Sequence, residues 1–324
     1  MMRGRSNRIA VCMAGLAFGA IALGGCSLYR LNQAPIASFT ATPSEGYRPV
    51  EVAFDASASI DPDGDALTYA WSFGDGGTSS DVRVAHAFES VGSYDVVLRV
   101  ADPEGLQDVC TAAIDVHEVP EGYVVCRYEW TWGGEDRALD VALPWNLYQT
   151  YRGRLRIPYV DNYDYGVFVE DSLDDPTLAD LADLLSEGAG EGGLAFAEFA
   201  LAFVQGGIAY KADPSDVEWP LYPLETLIDG EGDCEDTAIL YVSLLKARGT
   251  GCRLAFVDTD DDGSPDHVLA LVAVAGSFVQ RPGVTLFEVD GTQYAVAETA
   301  SGAIEFGVDP WGLDVEDLIE LWAF

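Results

Sequence analysis

The sequence predicts two folded parts, an antiparallel β-sandwich followed by an α+β domain. Short segments with alternating apolar and polar residues, separated by turn residues, run from Ala34 to about His117, which is typical of a sandwich. From Leu178 onward, helical patterns precede several strand patterns, which is the order of an α+β fold. A length of 324 residues accommodates two domains of ordinary size.

The first 25 residues have the pattern of a bacterial export signal. A basic start precedes an apolar stretch from Ile9 to Leu23, which is too short to span a membrane comfortably. The run Leu23-Gly24-Gly25-Cys26 resembles a lipobox, which implies lipidation of Cys26. We therefore expect a signal peptide over residues 1–25, a tether over residues 26–33 and a membrane-anchored lipoprotein in the periplasm or at the cell surface. An uncleaved anchor, or a plain signal peptide with a chance cysteine, is the alternative.

The charge balance excludes one class of partner. The chain has 17 basic and 54 acidic residues, a formal net charge of −37. A nucleic-acid-binding protein neutralises phosphates with Lys and Arg, so nucleic acid is not an expected partner. The charge fits a well-solvated surface in high salt, or one that collects divalent cations.

The sandwich segment resembles a known family. Trp71-Ser72-Phe73-Gly74-Asp75-Gly76 resembles the signature of PKD domains, which implies an immunoglobulin-like sandwich over residues 34–118. We expect Trp71 and Phe73 in its core and His86 in a local hydrogen bond. The predicted strands are Ile36–Ala41, Val50–Phe54, Leu67–Phe73, Val82–Phe88, Ser93–Val100 and Cys110–Val116.

Two acidic loops could bind Ca²⁺, which prefers several oxygen ligands. The second loop has the D-x-D-x-D-G spacing of a calcium loop, but Leu269 stands at its twelfth position, where such loops have a bidentate Glu. At both loops the alternative is a turn that uses Asp and Gly for their backbone tolerance. The candidate ligands are Asp61, Asp63 and Asp65 in the first loop and Asp258, Asp260 and Asp262 in the second.

Residues 119–169 form an aromatic-rich linker or extension. Tyr128–Trp132 and Ala138–Leu143 flank Gly133-Gly134 and predict a hairpin, and Trp145–Tyr151 predicts a short helix. The aromatic side chains either join this extension to the following domain, which is the commoner use, or form a carbohydrate-binding face. They are Tyr123, Tyr128, Trp130, Trp132, Trp145, Tyr148, Tyr151, Tyr159, Tyr163, Tyr165 and Phe168.

Residues 170–324 have the pattern of the α+β domain. The segment Leu194–Gln205 is apolar almost all round and therefore predicts a buried helix. A second apolar helix is predicted to begin at Cys234, after a loop from Tyr210 to Thr226. The remaining predicted elements are a helix over Leu178–Glu187, strands over Cys252–Val257, Asp266–Val272 and Tyr294–Thr299, and a closing helix over Asp314–Trp322.

Cys234, His267 and Glu298 are the candidate catalytic residues. A cysteine at a helix start faces unpaired backbone N–H groups and the positive end of the helix dipole, which both favour the nucleophilic thiolate. His267 is the only histidine after residue 117 and opens a strand, and Glu298 ends another. Thiol, base and orienting acid are the parts of an acyl-transfer site. Asp290 is the competing acid, but Asp290-Gly291 has the form of a hairpin turn.

A second resemblance supports this interpretation. The segment Pro220–Leu227, followed by Gly232-Asp233-Cys234-Glu235-Asp236, resembles the transglutaminase-like cysteine protein superfamily, from about Tyr128 to the C-terminus. The resemblance implies a papain-like fold and a triad of Cys234, His267 and Glu298. The acid of that family is commonly Asp, so Glu298 departs from the pattern.

The other cysteines and two upstream residues have predicted roles outside the triad. Gln205 and Trp219 could support an oxyanion. Cys110 and Cys126 could form a disulfide in an oxidising compartment. Cys252 is expected to be a small core residue. A Cys234–Cys252 disulfide is the alternative that would remove the chemistry.

The sequence therefore predicts an exported, membrane-tethered cysteine acyl-transfer enzyme. A protein or peptide is the expected substrate, with amide hydrolysis or amide exchange as the reaction. No cofactor is required. The alternative function is an inactive transglutaminase-like fold that serves as a binding or adhesion module at the cell surface.

Overall fold

The fold was analysed in a computed structural model. It describes residues 5–6, 10–13, 31–156, 165–173, 175–190, 192–213, 219–260, 264–276, 278, 282–302 and 304–323. The chain divides into two compact units, residues 7–119 and residues 120–324 together with the first six residues. Cys26 and Asp262, and with them the predicted lipidation site and one predicted calcium ligand, lie outside the described residues.

The first unit is a sandwich of two β-sheets. The strands are β2 (Ala10–Met13), β3 (Ser38–Thr42), β4 (Glu45–Tyr47), β5 (Val50–Asp55), β6 (Thr68–Ser72), β7 (Thr78–Ser79), β8 (Arg83–Phe88), β9 (Gly92–Ala101) and β10 (Gln107–His117). One sheet has the strand order β4-β10-β9-β6-β7 and the other the order β2-β3-β5-β8. All pairs are antiparallel except β4 with β10.

The core of the sandwich follows from the period-two pattern of its strands. Along β5, the alternating apolar side chains are buried and the residues between them are exposed. Trp71 and Phe73 are 2% and 1% exposed, which confirms their predicted place in the core. His86 Nε2 lies 2.7 Å from Asp75 Oδ2, so the expected local hydrogen bond is also present.

The second unit combines six helices with a five-stranded antiparallel sheet of order β17-β18-β16-β15-β19 among the residues described. Strand β1 pairs with β12 and extends the hairpin of β11 and β12 to three strands. Strand β13 pairs in parallel with β14. The helices are α1 (Trp145–Arg152), α2 (Gly166–Leu173), α3 (Pro176–Ala189), α4 (Gly193–Gly207), α5 (Pro223–Asp229) and α6 (Cys234–Ala247). The strands are β1 (Arg5–Ser6), β11 (Tyr123–Trp132), β12 (Glu135–Pro144), β13 (Ala209–Tyr210), β14 (Glu231–Gly232), β15 (Cys252–Val257), β16 (His267–Ala273), β17 (Leu286–Val289), β18 (Thr292–Ala297) and β19 (Leu318–Ala323).

The core of this unit encloses α6. The helix is buried from Glu235 to Leu245, and the Tyr241 hydroxyl donates a hydrogen bond of 2.9 Å to Ala197 O on α4. Because a helix with apolar residues on all sides needs partners on all sides, α3, α4, α5 and the sheet pack around it. This position fixes the start of α6, where Cys234 lies.

The predicted aromatic extension is part of the same core. The hairpin and the short helix form as predicted. Trp130 lies edge-on to Phe199 and Phe203 of α4, and the Tyr128 hydroxyl donates to Leu227 O at 2.7 Å. These contacts favour the interpretation that the aromatic side chains join the extension to the rest of the unit.

Two predicted elements differ in the structure. The predicted closing helix is instead a 3₁₀ turn, Val315–Asp317, followed by strand β19. Tertiary contacts favour the strand, because β19 pairs with β15. This pairing places the ring centroids of Trp322 and Phe256 4.6 Å apart. Part of the predicted loop before Cys234 is helix α5, which has a proline at its first position.

The predicted Cys110–Cys126 disulfide is wrong. Cys126 is a free thiol, and Cys110 takes part in a disulfide with another partner. Cys110 lies in the sandwich core, whereas Cys126 packs against the core of the second unit, so the two side chains face different interiors.

Among the described residues, no helix is long and apolar enough to cross a membrane.

Candidate active site

Cys234 is the first residue of α6, and the local sequence fixes this position. Gly230 ends α5 in the left-handed conformation at φ 69°, which favours glycine. Asp233 is the N-cap of α6, and Asp236 Oδ2 accepts from its backbone N–H at 3.4 Å. The half-buried thiol therefore lies at the positive end of the helix dipole.

His267 opens β16, and its imidazole lies beside both a carboxylate and the Cys234 side chain. Nε2 lies 2.7 Å from Glu298 Oε2, and the Cys234 side chain is close enough to affect the pKa of the ring. Burial lowers the pKa of His267, but the hydrogen bonds and negative charges of Cys234 and Glu298 outweigh burial and raise the pKa to about 10. The imidazolium form is therefore favoured at neutral pH.

Glu298 follows β18, with its side chain buried at 1% exposure. The antiparallel register of β16 and β18 pairs Ala270 with Ala297. The chain after β18 therefore continues towards the start of β16, where His267 lies. Glu298 Oε1 accepts from the backbone N–H groups of Ala300 and Ser301, at 2.7 and 3.1 Å. These bonds orient the carboxylate and leave Oε2 for His267.

The structure therefore brings together the three residues that the sequence singled out. Because Nε2 faces Glu298, Nδ1 is the ring nitrogen that remains for the thiol. The Cys234 thiol also donates a hydrogen bond to Glu235 Oε2, with a distance of 3.2 Å between Sγ and Oε2. This arrangement can generate a nucleophilic thiolate and supply a proton to a leaving group.

Cys252 does not form a disulfide with Cys234. Both are free thiols, so the Cys234–Cys252 disulfide is not formed. Cys252 is buried on β15, and burial raises its pKa to about 12. It is a small core residue, as expected.

The predicted oxyanion role of Gln205 is wrong. Its Nε2 donates to the backbone carbonyls of Glu298 and Ile304, at 2.7 and 3.0 Å. Both amide hydrogens are used, so no donor remains for an oxyanion. The Trp219 ring lies 5.5 Å from the Arg156 guanidinium carbon, and its oxyanion role stays a prediction.

The structure adds Tyr210 to the surroundings of the thiol. The residue is 58% exposed and lies on β13, which pairs with β14 just before Cys234. Partial burial raises the pKa of Tyr210, and the negative charges of Cys234, Asp233 and Glu235 add to the effect. A two-residue strand carries no period that would have identified it in the sequence.

Two acidic clusters have the donors that a metal ion would need. In each, one oxygen from each of three carboxylates lies within 4.8 Å of the others. Hard oxygen donors of this kind suit Ca²⁺. The clusters are Asp61, Asp63 and Asp65, which the sequence indicated, and Asp213, Asp233 and Glu235, which it did not. In the other predicted loop, Asp258 Oδ1 accepts from Asp260 N–H at 3.3 Å, as in a turn.

The calcium hypothesis predicts a change in thermal stability. Ca²⁺ that binds only the native state at 100 times its Kd would stabilise it by about 2.7 kcal/mol. EDTA should then lower the Tm and added Ca²⁺ should restore it, as measured by differential scanning calorimetry. Asp63→Asn and Asp213→Asn would separate the two clusters. If neither EDTA nor Ca²⁺ changes the Tm, the clusters are acidic turns that do not bind Ca²⁺.

Comparisons with known proteins agree with the two-part architecture. Residues 32–117 match the family model of the PKD domain, and residues 180–297 match that of the transglutaminase-like superfamily. The chain thus has a PKD domain followed by an α+β transglutaminase-like domain, as the sequence analysis predicted.

Curated relatives match only part of the chain. It is 39% identical over 83 residues to a microbial collagenase of Vibrio alginolyticus, across 26% of this chain and 10% of the relative. It is 34% identical over 87 residues to collagenase ColQ1 of Bacillus cereus, across 27% and 9%. The chain thus spans about a tenth of the length of these relatives.

Three solved structures illustrate what this chain is similar to. The PKD1 domain of Vibrio anguillarum Epp is 34% identical, with a TM-score of 0.24, across 28% of this chain and 99% of that one. A candidate cysteine protease of Cytophaga hutchinsonii is 13% identical, with a TM-score of 0.30, across 80% and 81%. Red sea bream transglutaminase is 13% identical, with a TM-score of 0.23, across 78% and 48%.

Proposed function

We propose that this protein is an exported, membrane-tethered cysteine acyl-transfer enzyme that acts on amide bonds of a protein or peptide. Cys234 is the nucleophile, His267 the acid–base residue and Glu298 the residue that orients His267. The observation that carries the proposal is the grouping of a helix-start thiol with an imidazole that is hydrogen-bonded to a buried carboxylate. The transglutaminase-like fold supports the same reaction class.

The reaction begins with attack of the Cys234 thiolate on the amide carbonyl carbon. The carbonyl oxygen gains the negative charge, which the backbone N–H groups at the start of α6 can stabilise. As the C–N bond breaks, His267 gives the proton on Nδ1 to the leaving amine, and a thioester with Cys234 remains. Water or an amine then attacks the thioester while His267 takes its proton, and the thiolate leaves.

Glu298 keeps the imidazole in the orientation that these steps need. Its Oε2 accepts from Nε2–H, so Nδ1 is the nitrogen that exchanges a proton with the thiol and the leaving group. The raised pKa of His267 keeps its imidazole protonated at neutral pH, so a positive charge lies beside the Cys234 sulfur. This imidazolium is lost as the pH rises through about 10.

Alkylation of Cys234 tests whether the thiol is activated. We expect iodoacetamide to modify Cys234 at pH 6 to 7, well below the ordinary thiol pKa of about 8.5, because the imidazolium stabilises the thiolate. Cys126 and Cys252 provide internal controls, since burial raises the pKa of both. Mass spectrometry of the modified peptides gives the rate at each thiol. A Cys234 rate that rises only above pH 8, or that His267→Ala leaves unchanged, would favour the inactive binding module.

The tether is tested by replacing Cys26. If Cys26 carries the lipid, Cys26→Ala should release the protein from the membrane fraction or block its processing, because the hydrophobic anchor is absent. Immunoblots of membrane and soluble fractions measure this, with Cys126→Ala as the matched cysteine control. Unchanged processing and retention of the Cys26→Ala protein would contradict the lipoprotein proposal.

A further inference from the structure

Two buried threonine hydroxyls connect the helix of the proposed nucleophile with the segment of the proposed orienting acid. Thr237 lies on α6, one turn after Cys234, and Thr299 follows Glu298 directly in the chain after β18. Their Oγ1 atoms are 3.0 Å apart, and the two residues are 2% and 1% exposed. The contact therefore joins two sides of the site away from solvent, between residues that are 62 positions apart in the sequence.

The other contacts of Thr237 show which hydroxyl donates. Its Oγ1 lies 2.7 Å from Asp233 O and 3.2 Å from Cys234 O, so its single proton is given to a carbonyl of its own helical turn. Thr237 Oγ1 then accepts from the Thr299 hydroxyl. Asp233 is the N-cap of α6, and Cys234 is the next residue. The bond from Thr299 thus ends on the turn that carries the thiol.

The acid segment needs contacts beyond itself to be placed relative to α6. Glu298 Oε1 accepts from the N–H groups of Ala300 and Ser301, which orients the carboxylate within its own segment but does not set its distance from the thiol. That distance depends on bonds that leave the segment. Gln205 Nε2 on α4 donates to Glu298 O at 2.7 Å, and the Thr299 hydroxyl donates to α6. The segment is therefore anchored to both helices.

We propose that Thr237 and Thr299 are positioning residues, which hold the orienting acid and its imidazole at the distance from Cys234 that proton exchange requires. Because His267 Nε2 is hydrogen-bonded to Glu298 Oε2 at 2.7 Å, a displacement of the acid also moves the ring. A misplacement of about 1 Å can cost about 10²-fold in rate. The inference rests on the proposed function, since the placement has this consequence only if the thiol and the imidazole exchange a proton.

Thr299→Val is the direct test. Valine keeps the β-branched shape and removes the bond to α6, while the Thr237 hydroxyl stays bonded within its own turn. On a peptide that the unmodified protein cleaves, kcat should fall on the order of 10- to 100-fold with KM nearly unchanged, because the substrate still binds but the proton transfer is misaligned. Iodoacetamide should modify Cys234 about tenfold more slowly between pH 6 and 7. Thr299→Ser, which keeps the hydroxyl, should restore both rates.

Ser172 and Ser243 provide a matched control. Their Oγ atoms form another buried hydroxyl pair, 3.3 Å apart, which contacts α6 near its other end. Ser243→Ala should lower the Tm but leave kcat and the alkylation rate of Cys234 unchanged. If Thr299→Val likewise lowers only the Tm, the threonine pair supports the fold alone and the inference is wrong.

The double variant Thr237→Val with Thr299→Val separates position from stability. It leaves neither hydroxyl unpaired, and Asp233 O still accepts from the Thr237 backbone N–H at 3.1 Å, a bond that valine retains. Its Tm should therefore lie close to that of the unmodified protein. Its kcat should stay as low as that of Thr299→Val, because the bond across the site is still absent. Recovery of kcat together with the Tm would overturn the inference.

The alkylation assay distinguishes failure of this inference from failure of the proposed function. If His267→Ala leaves the modification rate of Cys234 unchanged, the thiol is not activated by the imidazole, and both the proposed function and the positioning role are wrong. If the rate depends on His267 but neither threonine variant alters it, the proposed function stands and the positioning role alone is overturned.

Discussion

Replacing Cys234 or His267 by alanine is expected to abolish nearly all acyl-transfer activity, a loss on the order of 10⁴- to 10⁶-fold. Without Cys234 no thioester can form, and without His267 the thiolate loses its partner and the leaving amine its proton donor. Because the two groups act as a unit, the double variant should be no worse than either single one. Hydrolysis of a peptide library, followed by mass spectrometry, measures the activity.

Glu298→Gln is the intermediate case in the same series. The amide keeps the shape of the carboxylate and an oxygen for the N–H groups of Ala300 and Ser301, so the fold should persist. The imidazole becomes misoriented rather than absent, so the loss should be on the order of 10² to 10⁴. As a control, Cys126→Ala removes a free cysteine that is not part of the proposed triad and should be fully active. Additive losses in the double variant would contradict the triad.

The second large effect concerns a buried ion pair. Arg156 is bonded to Glu225, and their side chains are 3% and 0% exposed. Burial raises the pKa of Glu225, and Arg156 counteracts this. Arg156→Met should therefore leave a buried carboxylate without its close partner and destabilise the second unit by about 3 kcal/mol. Urea unfolding followed by fluorescence measures the change, with the transition of the sandwich as an internal reference.

The control for this ion pair is a pair at the surface. Arg248 is bonded to Asp183, with 41% and 68% of the side chains exposed, so Arg248→Met should cost less than about 1 kcal/mol. The double variant Arg156→Met with Glu225→Leu should regain most of the lost stability, because the buried charge is removed. If the double variant is as unstable as the single one, packing rather than charge holds this part of the unit.

The features that the sequence predicted correctly each depend on a local pattern. Alternation and Asp/Gly turns identify the sandwich strands around Trp71. A helix start, a strand start and a strand end identify the positions of Cys234, His267 and Glu298. The fold class was therefore predictable, and the structure brings these three residues together.

The errors concern choices that only tertiary contacts decide. The last segment is a strand because β15 pairs with it. Gln205 has no donor for an oxyanion because two backbone carbonyls, more than 90 residues away in the sequence, use its amide. Cys110 and Cys126 face different cores, which a spacing of 16 residues does not reveal. For β19 and for Gln205, the deciding partner is distant in the sequence.

The burial of α6 from Glu235 to Leu245 also affects how the site responds to partial unfolding of the second unit. The backbone of a helix enclosed by α3, α4, α5 and a sheet exchanges its amide protons with solvent only when the surrounding structure opens. Cys234 thus lies at the start of a helix whose next eleven residues are buried, although its own thiol is half-exposed. We therefore expect the amides of Glu235 to Leu245 to exchange only on cooperative unfolding of this unit, so that the support behind Cys234 is retained until then.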